Sequence, residues 1–104
     1  MKEKTVQELQ QMRNDGSDFQ LIDVREEWEF ETANINGELI PLGHIMDEQD
    51  KISKSKPVII HCRSGSRSTT AVKALEQLGY TNLYNLKGGI MAWKNEIDPT
   101  LDVS

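Results

Sequence analysis

A short apolar run that stops at a cysteine and gives way at once to a cationic, glycine-centred loop constrains this chain more than any other feature. Val58-Ile59-Ile60-His61 leads into Cys62, followed by Arg63-Ser64-Gly65-Ser66-Arg67-Ser68 and the helical pattern Thr69-Thr70-Ala71-Val72-Lys73-Ala74-Leu75. Strand, loop and helix start in that order bring backbone N–H groups together around one thiol. A helix N-terminus carries unpaired donors and partial positive charge. Such surroundings lower a thiol pKa and populate the nucleophilic thiolate, and they also bind anions. A lone cysteine is commonly a small buried apolar residue. Two arginines and a helix start directly after it favour chemistry instead. The candidate nucleophile is therefore Cys62, and the candidate substrate-binding residues are Arg63, Ser64, Gly65, Ser66, Arg67 and Ser68.

The rest of the chain alternates strand and helix patterns. Thr5-Val6-Gln7-Glu8 fits a capping box, with Val6, Leu9 and Met12 on one helix face and Asn14-Asp15-Gly16-Ser17 ending it. Phe19 to Val24 reads as a strand, Arg25 to Ala33 as a short acidic helix with apolar contacts through Trp28 and Phe30, and Glu38-Leu39-Ile40 as a strand stopped by Pro41. His44 to Ile52 is a second helical segment resting on Ile45 and Ile52. Val58 to His61 is a buried strand. The helix after the cysteine loop runs to Leu78 and stops at Gly79, with Val72, Leu75 and Leu78 as its buried stripe. Asn82 to Leu86 is the last strand, and Gly88-Gly89 turns the chain into a helix containing Met91 and Trp93.

This alternation predicts an α/β fold, an open parallel sheet flanked by helices on both faces, within one domain spanning residues 1–104. Ligands in such folds sit beyond the carboxyl ends of the strands. Cys62, the Asp23–Arg25 segment and Lys87-Gly88-Gly89 all fall at such ends and are expected to converge. Asp23 and Arg25 read as a structural ion pair, His61 as a buried structural residue, and Trp28 and Trp93 as packing residues.

A net charge of -5 argues against nucleic-acid partners and anionic membranes, so the positive charge beside Cys62 is a focused anion site. The single cysteine excludes an internal disulfide and points to a reducing, cytoplasmic setting. No signal-peptide pattern, membrane-length apolar run or metal-ligand spacing is present in the sequence, and no cofactor is expected.

Asp23-Val24-Arg25-Glu26, the run Ile60 to Ser68, and Leu86-Lys87-Gly88-Gly89-Ile90-Met91-Ala92-Trp93 together resemble a single-domain rhodanese, a sulfurtransferase, from about Thr5 to Trp93. The resemblance implies a five-stranded sheet, and hence a first strand near Lys2-Glu3-Lys4. One departure stands out: Asn34-Ile35-Asn36-Gly37 occupies a turn where the family often has a histidine. The stretch Asn34 to Leu42 is similar to rhodanese domains fused to adenylating enzymes of sulfur-carrier pathways.

The implied chemistry is transfer of a sulfane sulfur from a small anionic donor, thiosulfate or a persulfide or polysulfide, through a Cys62 persulfide to cyanide, a thiol or a protein acceptor. Loop amides would surround the terminal sulfur, Arg63 and Arg67 would bind the sulfonate end, and Gly65 would let the backbone turn. The loop serines serve equally well as hydroxyl donors or as turn and N-cap residues. A role as protein persulfide carrier is the alternative. A cysteine phosphatase is disfavoured: only four residues separate Cys62 from Arg67, one short of the phosphatase spacing, and no aspartate general acid is evident.

Overall fold

The computed structural model describes residues 1–103. The chain runs β1 (Glu3–Lys4), α1 (Val6–Asn14), β2 (Gln20–Asp23), α2 (Glu27–Thr32), β3 (Glu38–Leu39), β4 (Val58–His61), α3 (Ser66–Gln77), β5 (Leu83–Leu86) and α4 (Gly89–Glu96). The five strands form one wholly parallel sheet in the order β1-β5-β4-β2-β3. The expected α/β architecture and its first strand are both present.

Every residue of β4 is buried, which explains why it reads as a continuous apolar run without alternation. One face of the sheet is closed by Ala71, Val72 and Leu75 of α3 with Ile45 and Ile52, packed on Ile22, Val58 and Ile60. The other is closed by Val6 and Leu9 of α1 and Ile90 and Trp93 of α4, packed on Leu21, Ile59 and Leu86. The capping box forms as expected: the Glu8 amide donates to Thr5 Oγ1 at 3.1 Å, and the Thr5 amide to Glu8 Oε1 at 2.9 Å. Trp93 is a packing residue, with the Arg13 guanidinium over its ring.

Three expectations need correction. The segment from His44 to Ile52 is not a helix but two 3-10 turns, Leu42–His44 and Gln49–Lys51, joined by turns. Ile45 and Ile52 are both buried, but Met46 beside them is exposed, so no continuous apolar stripe exists to hold a longer helix. Leu78 lies past the end of α3, in a non-helical backbone conformation, and is 40% exposed. Tyr80 closes that end instead, donating from its hydroxyl to Gln49 O at 2.8 Å. Trp28 is 62% exposed and makes no packing core. Helix α2 has no buried residue, so it is attached by polar links and leaves its tryptophan to solvent.

No helix among the described residues is long and apolar enough to cross a membrane, and no group of three or more metal-ligating side chains occurs among them.

Candidate active site

Buried polar side chains are rare in a small domain. Among the described residues there are five, Asp23, Arg25, His61, Ser68 and Asn85, and all gather at the carboxyl ends of β2, β4 and β5, around Cys62. Cys62 directly follows β4, the central strand, and is 1% exposed. The sequence-predicted convergence is therefore present.

The loop is held from outside by the start of α4. The Ile90 amide donates to Cys62 O and the Met91 amide to Arg63 O, both at 3.0 Å. This close approach is why residue 89 is glycine. A Cβ there would lie 2.6 Å from Cys62 O and 2.5 Å from Arg63 O, and its φ of +60° is itself unfavourable for other residues. His61 Nδ1 lies 3.1 Å from the same Cys62 carbonyl. Burial lowers the His61 pKa, against the opposing pull of Asp23 and of that carbonyl, so the ring is a neutral strut and not a base for the thiol.

The inner side of the loop is left to sulfur. Gly65, at φ +121°, precedes the first turn of α3 and turns its N–H onto Cys62 Sγ at 3.1 Å. Ser68 Oγ stands 3.4 Å from the same sulfur. Burial pushes the thiol pKa up. The Ser68 hydroxyl and the backbone N–H groups of Ser68, Gly65 and Ser64 outweigh it, so the pKa lies below the ordinary thiol value. Ser68 is also within reach of Gly65 O at 3.1 Å and Asn85 Oδ1 at 2.5 Å. A hydroxyl has one hydrogen, and the two ends of an amide are interchangeable by rotation. With the Asn85 Nδ2 turned toward Ser68, that hydrogen is available to the thiolate.

A pH consequence arises here. Ser68→Ala removes a donor that favours the charged sulfur, so the Cys62 pKa rises. Alkylation of Cys62 followed against pH is expected to shift its midpoint to higher pH, slowing the reaction at neutrality while keeping the alkaline plateau. An unshifted midpoint would show that the backbone N–H groups alone set the thiol.

Arg63 and Ser64 are exposed at the rim, as is Ser66. Arg67 is engaged elsewhere: Nη1 donates to Glu29 Oε1 at 2.6 Å and Nη2 to Glu29 Oε2 at 3.0 Å. Arg67 holds the Glu29 carboxyl down at about 2, against the effect of its burial. The pair therefore contributes stability that is complete above pH 4.5 and lost as the pH falls through about 2. Behind it, Arg25 forks onto Asp23 with Nε and Nη2 and donates from Nη2 to Ala33 O at 2.7 Å, tying α2 to the sheet.

Glu29 and Asn85 are the site residues that sequence reasoning missed. Glu29 is one of four glutamates between positions 26 and 31, and nothing local distinguishes it. Asn85 did carry a signal, because asparagine in the middle of a buried strand is disfavoured unless it has a polar partner.

The profile of the rhodanese-like domain matches residues 5–96. The chain belongs to the rhodanese-like domain family. Among relatives of this rhodanese-like chain is a protein of Allochromatium vinosum named sulfurtransferase, 40% identical over 86 residues, covering 82% of this chain and 80% of that one. Another is the adenylyltransferase and sulfurtransferase UBA4 of Meyerozyma guilliermondii, 30% identical over 106 residues, covering 93% of this chain and 24% of that one. The crystal structure of a rhodanese-like domain protein from Staphylococcus aureus superposes with a TM-score of 0.85 at 32% identity, covering 100% of this chain and 99% of that one. The rhodanese-like chain spans 63% of the length of one further relative and 26% of others.

Proposed function

We propose that this rhodanese-like chain is a sulfurtransferase that carries a sulfane sulfur on Cys62, taking it from thiosulfate or a persulfide and delivering it to cyanide, a thiol or a protein acceptor. The observation that carries this reading is the thiol lying against the N–H of Gly65 and the hydroxyl of Ser68, with its pKa lowered by them and by the Ser64 and Ser68 amides. The names of the relatives agree with the reaction class.

The Cys62 thiolate attacks the outer sulfur of thiosulfate. A new S–S bond forms, the donor's S–S bond breaks, and its electron pair leaves on sulfite. The terminal sulfur of the resulting persulfide is anionic and takes up the place the loop N–H groups serve. Each preorganised donor of this kind is worth about 3 kcal/mol at an oxyanion, and less at the softer sulfur. The acceptor then attacks that terminal sulfur and the S–S bonding pair returns to Cys62. Arg63 at the rim supplies positive charge for the sulfonate end. With Cys62 the sole cysteine, no internal disulfide can discharge the persulfide. The acceptor then lies outside these 104 residues, and a relative named adenylyltransferase and sulfurtransferase supports a protein among the acceptors.

The test is intact-protein mass spectrometry after incubation with thiosulfate. A gain of one sulfur atom, removed by cyanide with release of thiocyanate, is the expected result. No gain would eliminate thiosulfate as donor and shift the reading to persulfide received from another protein.

A further inference from the structure

The pairing of Arg67 bears on which donors the loop accepts, an inference that rests on the sulfurtransferase reading. Arg67 is the second residue of α3, whose next residue, Ser68, touches Cys62 Sγ. Arg67 and the Cys62 thiolate lie close enough to act on one another electrostatically. A loop with two arginines facing a dianion is the expected design for thiosulfate. Yet two of the guanidinium N–H groups are committed to the two oxygens of one carboxylate in a fork geometry, the strongest arrangement available to this pair.

That carboxylate is itself fixed. Glu29 Oε1 accepts the Glu26 amide at 3.0 Å, making the N-terminal capping box of α2. The Glu29 main-chain carbonyl faces Arg25 Nη1 at 3.4 Å. The side chain is only 10% exposed, so solvent screens it weakly. A donor's sulfonate must therefore displace a preorganised carboxylate to use the fork, or approach a charge already cancelled.

We propose that Glu29 is a specificity-determining residue: forked onto Arg67, its carboxylate cancels one of the loop's two cationic charges and selects against doubly charged sulfur donors in favour of less charged ones. Glutamine at this position retains the capping box, since it also serves at the third helical position. It removes the charge, and with it one of the two oxygens that accept from Arg67.

The single cysteine makes the test direct. Cys62 of the full chain is alkylated at low, constant ionic strength by iodoacetate, an anion, and by iodoacetamide, its neutral counterpart. In both, the thiolate carbon–sulfur bond forms as iodide leaves. Any change in the thiol itself affects both reagents alike, so the ratio of rates reports the charge met by the incoming reagent. Glu29→Gln is expected to raise the iodoacetate-to-iodoacetamide ratio by about three- to tenfold, as one unscreened unit charge nearby would. Glu29→Gln with Arg67→Gln removes both charges and is expected to return the parent ratio, whereas Arg67→Gln alone leaves the carboxylate uncancelled and is expected to lower the ratio by a similar factor, a readout that stands even if Glu29→Gln does not fold. An unchanged ratio in either single variant, or a fall below the parent in the double variant, overturns the proposal. Alkylation by neither reagent would overturn the sulfurtransferase reading together with it, because no donor would then reach the thiol.

Discussion

Cys62→Ala is expected to reduce thiocyanate formation from thiosulfate and cyanide by at least about a thousandfold, to the rate without protein. In the proposed mechanism the product is reached through one covalent intermediate, formed on Sγ. The loop amides, Ser68 and Arg63 survive the substitution, yet they have nothing to stabilise once the persulfide cannot exist. They are expected to bind the donor without splitting it. Alanine is close in volume to cysteine and apolar, and it occupies a position that is 1% exposed beside Ile60 and Val72. The variant should therefore keep its far-UV circular dichroism and a denaturation midpoint near that of the parent. The measurement is thiocyanate release by both proteins at equal concentration. Residual turnover near the parent level would remove Cys62 from the mechanism.

Arg25→Ala carries the largest expected loss of stability, about 3–5 kcal/mol, because it leaves a buried carboxylate without its partner. Asp23 is 0% exposed and Arg25 2%, and the two are joined at 2.8 to 3.1 Å through three side-chain contacts. Asp23 Oδ1 also accepts the Arg25 main-chain amide at 3.0 Å. His61 Nε2 lies 3.5 Å from Asp23 Oδ2, but burial keeps that ring neutral, so it does not replace the guanidinium. Removing Arg25 also frees Ala33 O at the end of α2, so the helix bearing Glu29 loosens from the sheet. A fall in the urea midpoint without a change in slope is the expected signature. Asp23→Leu with Arg25→Met should cost less than Arg25→Ala alone, since neither charge is then left stranded. Equal losses would show that packing, not charge, holds this corner.

Both results turn on the same geometry, the ends of three parallel strands. The chain order of strands and helices was readable because each element carries a local cause. The capping box at Thr5 starts α1, the apolar run from Val58 forms the central strand, Gly79 follows α3, and Gly88-Gly89 precedes α4. The loop from Cys62 to Ser68 was readable for the same reason: the residues that shape it are contiguous, and a glycine, a helix start and a thiol in sequence leave few ways to fold. Where local causes are weak, reading failed. Ile45 and Ile52 were correctly seen as buried, but two anchors seven positions apart suit 3-10 turns as well as a helix. Trp28 and Leu78 look like core residues by composition, and their exposure follows from where α2 and the end of α3 happen to lie.

The partners of the site belong to another category. Sequence by itself determined the nucleophile candidate, its loop, and a parallel sheet with helices on both sides, because these follow from short-range propensity and patterning. It also singled out Asp23 and Arg25 as a pair, since only one residue separates them. Folding alone decided that Glu29, 38 positions from Arg67, would occupy its guanidinium, and that Asn85, 17 positions from Ser68, would complete the polar corner behind the thiol. The physical reason is range. A side chain's charge and hydrogen-bonding capacity are written in its identity, but what satisfies them depends on which strand ends the sheet order brings together. In this chain that order sets β5 and β2 on either side of β4, and so places Asn85 and the Asp23–Arg25 corner that anchors α2 on opposite sides of Cys62.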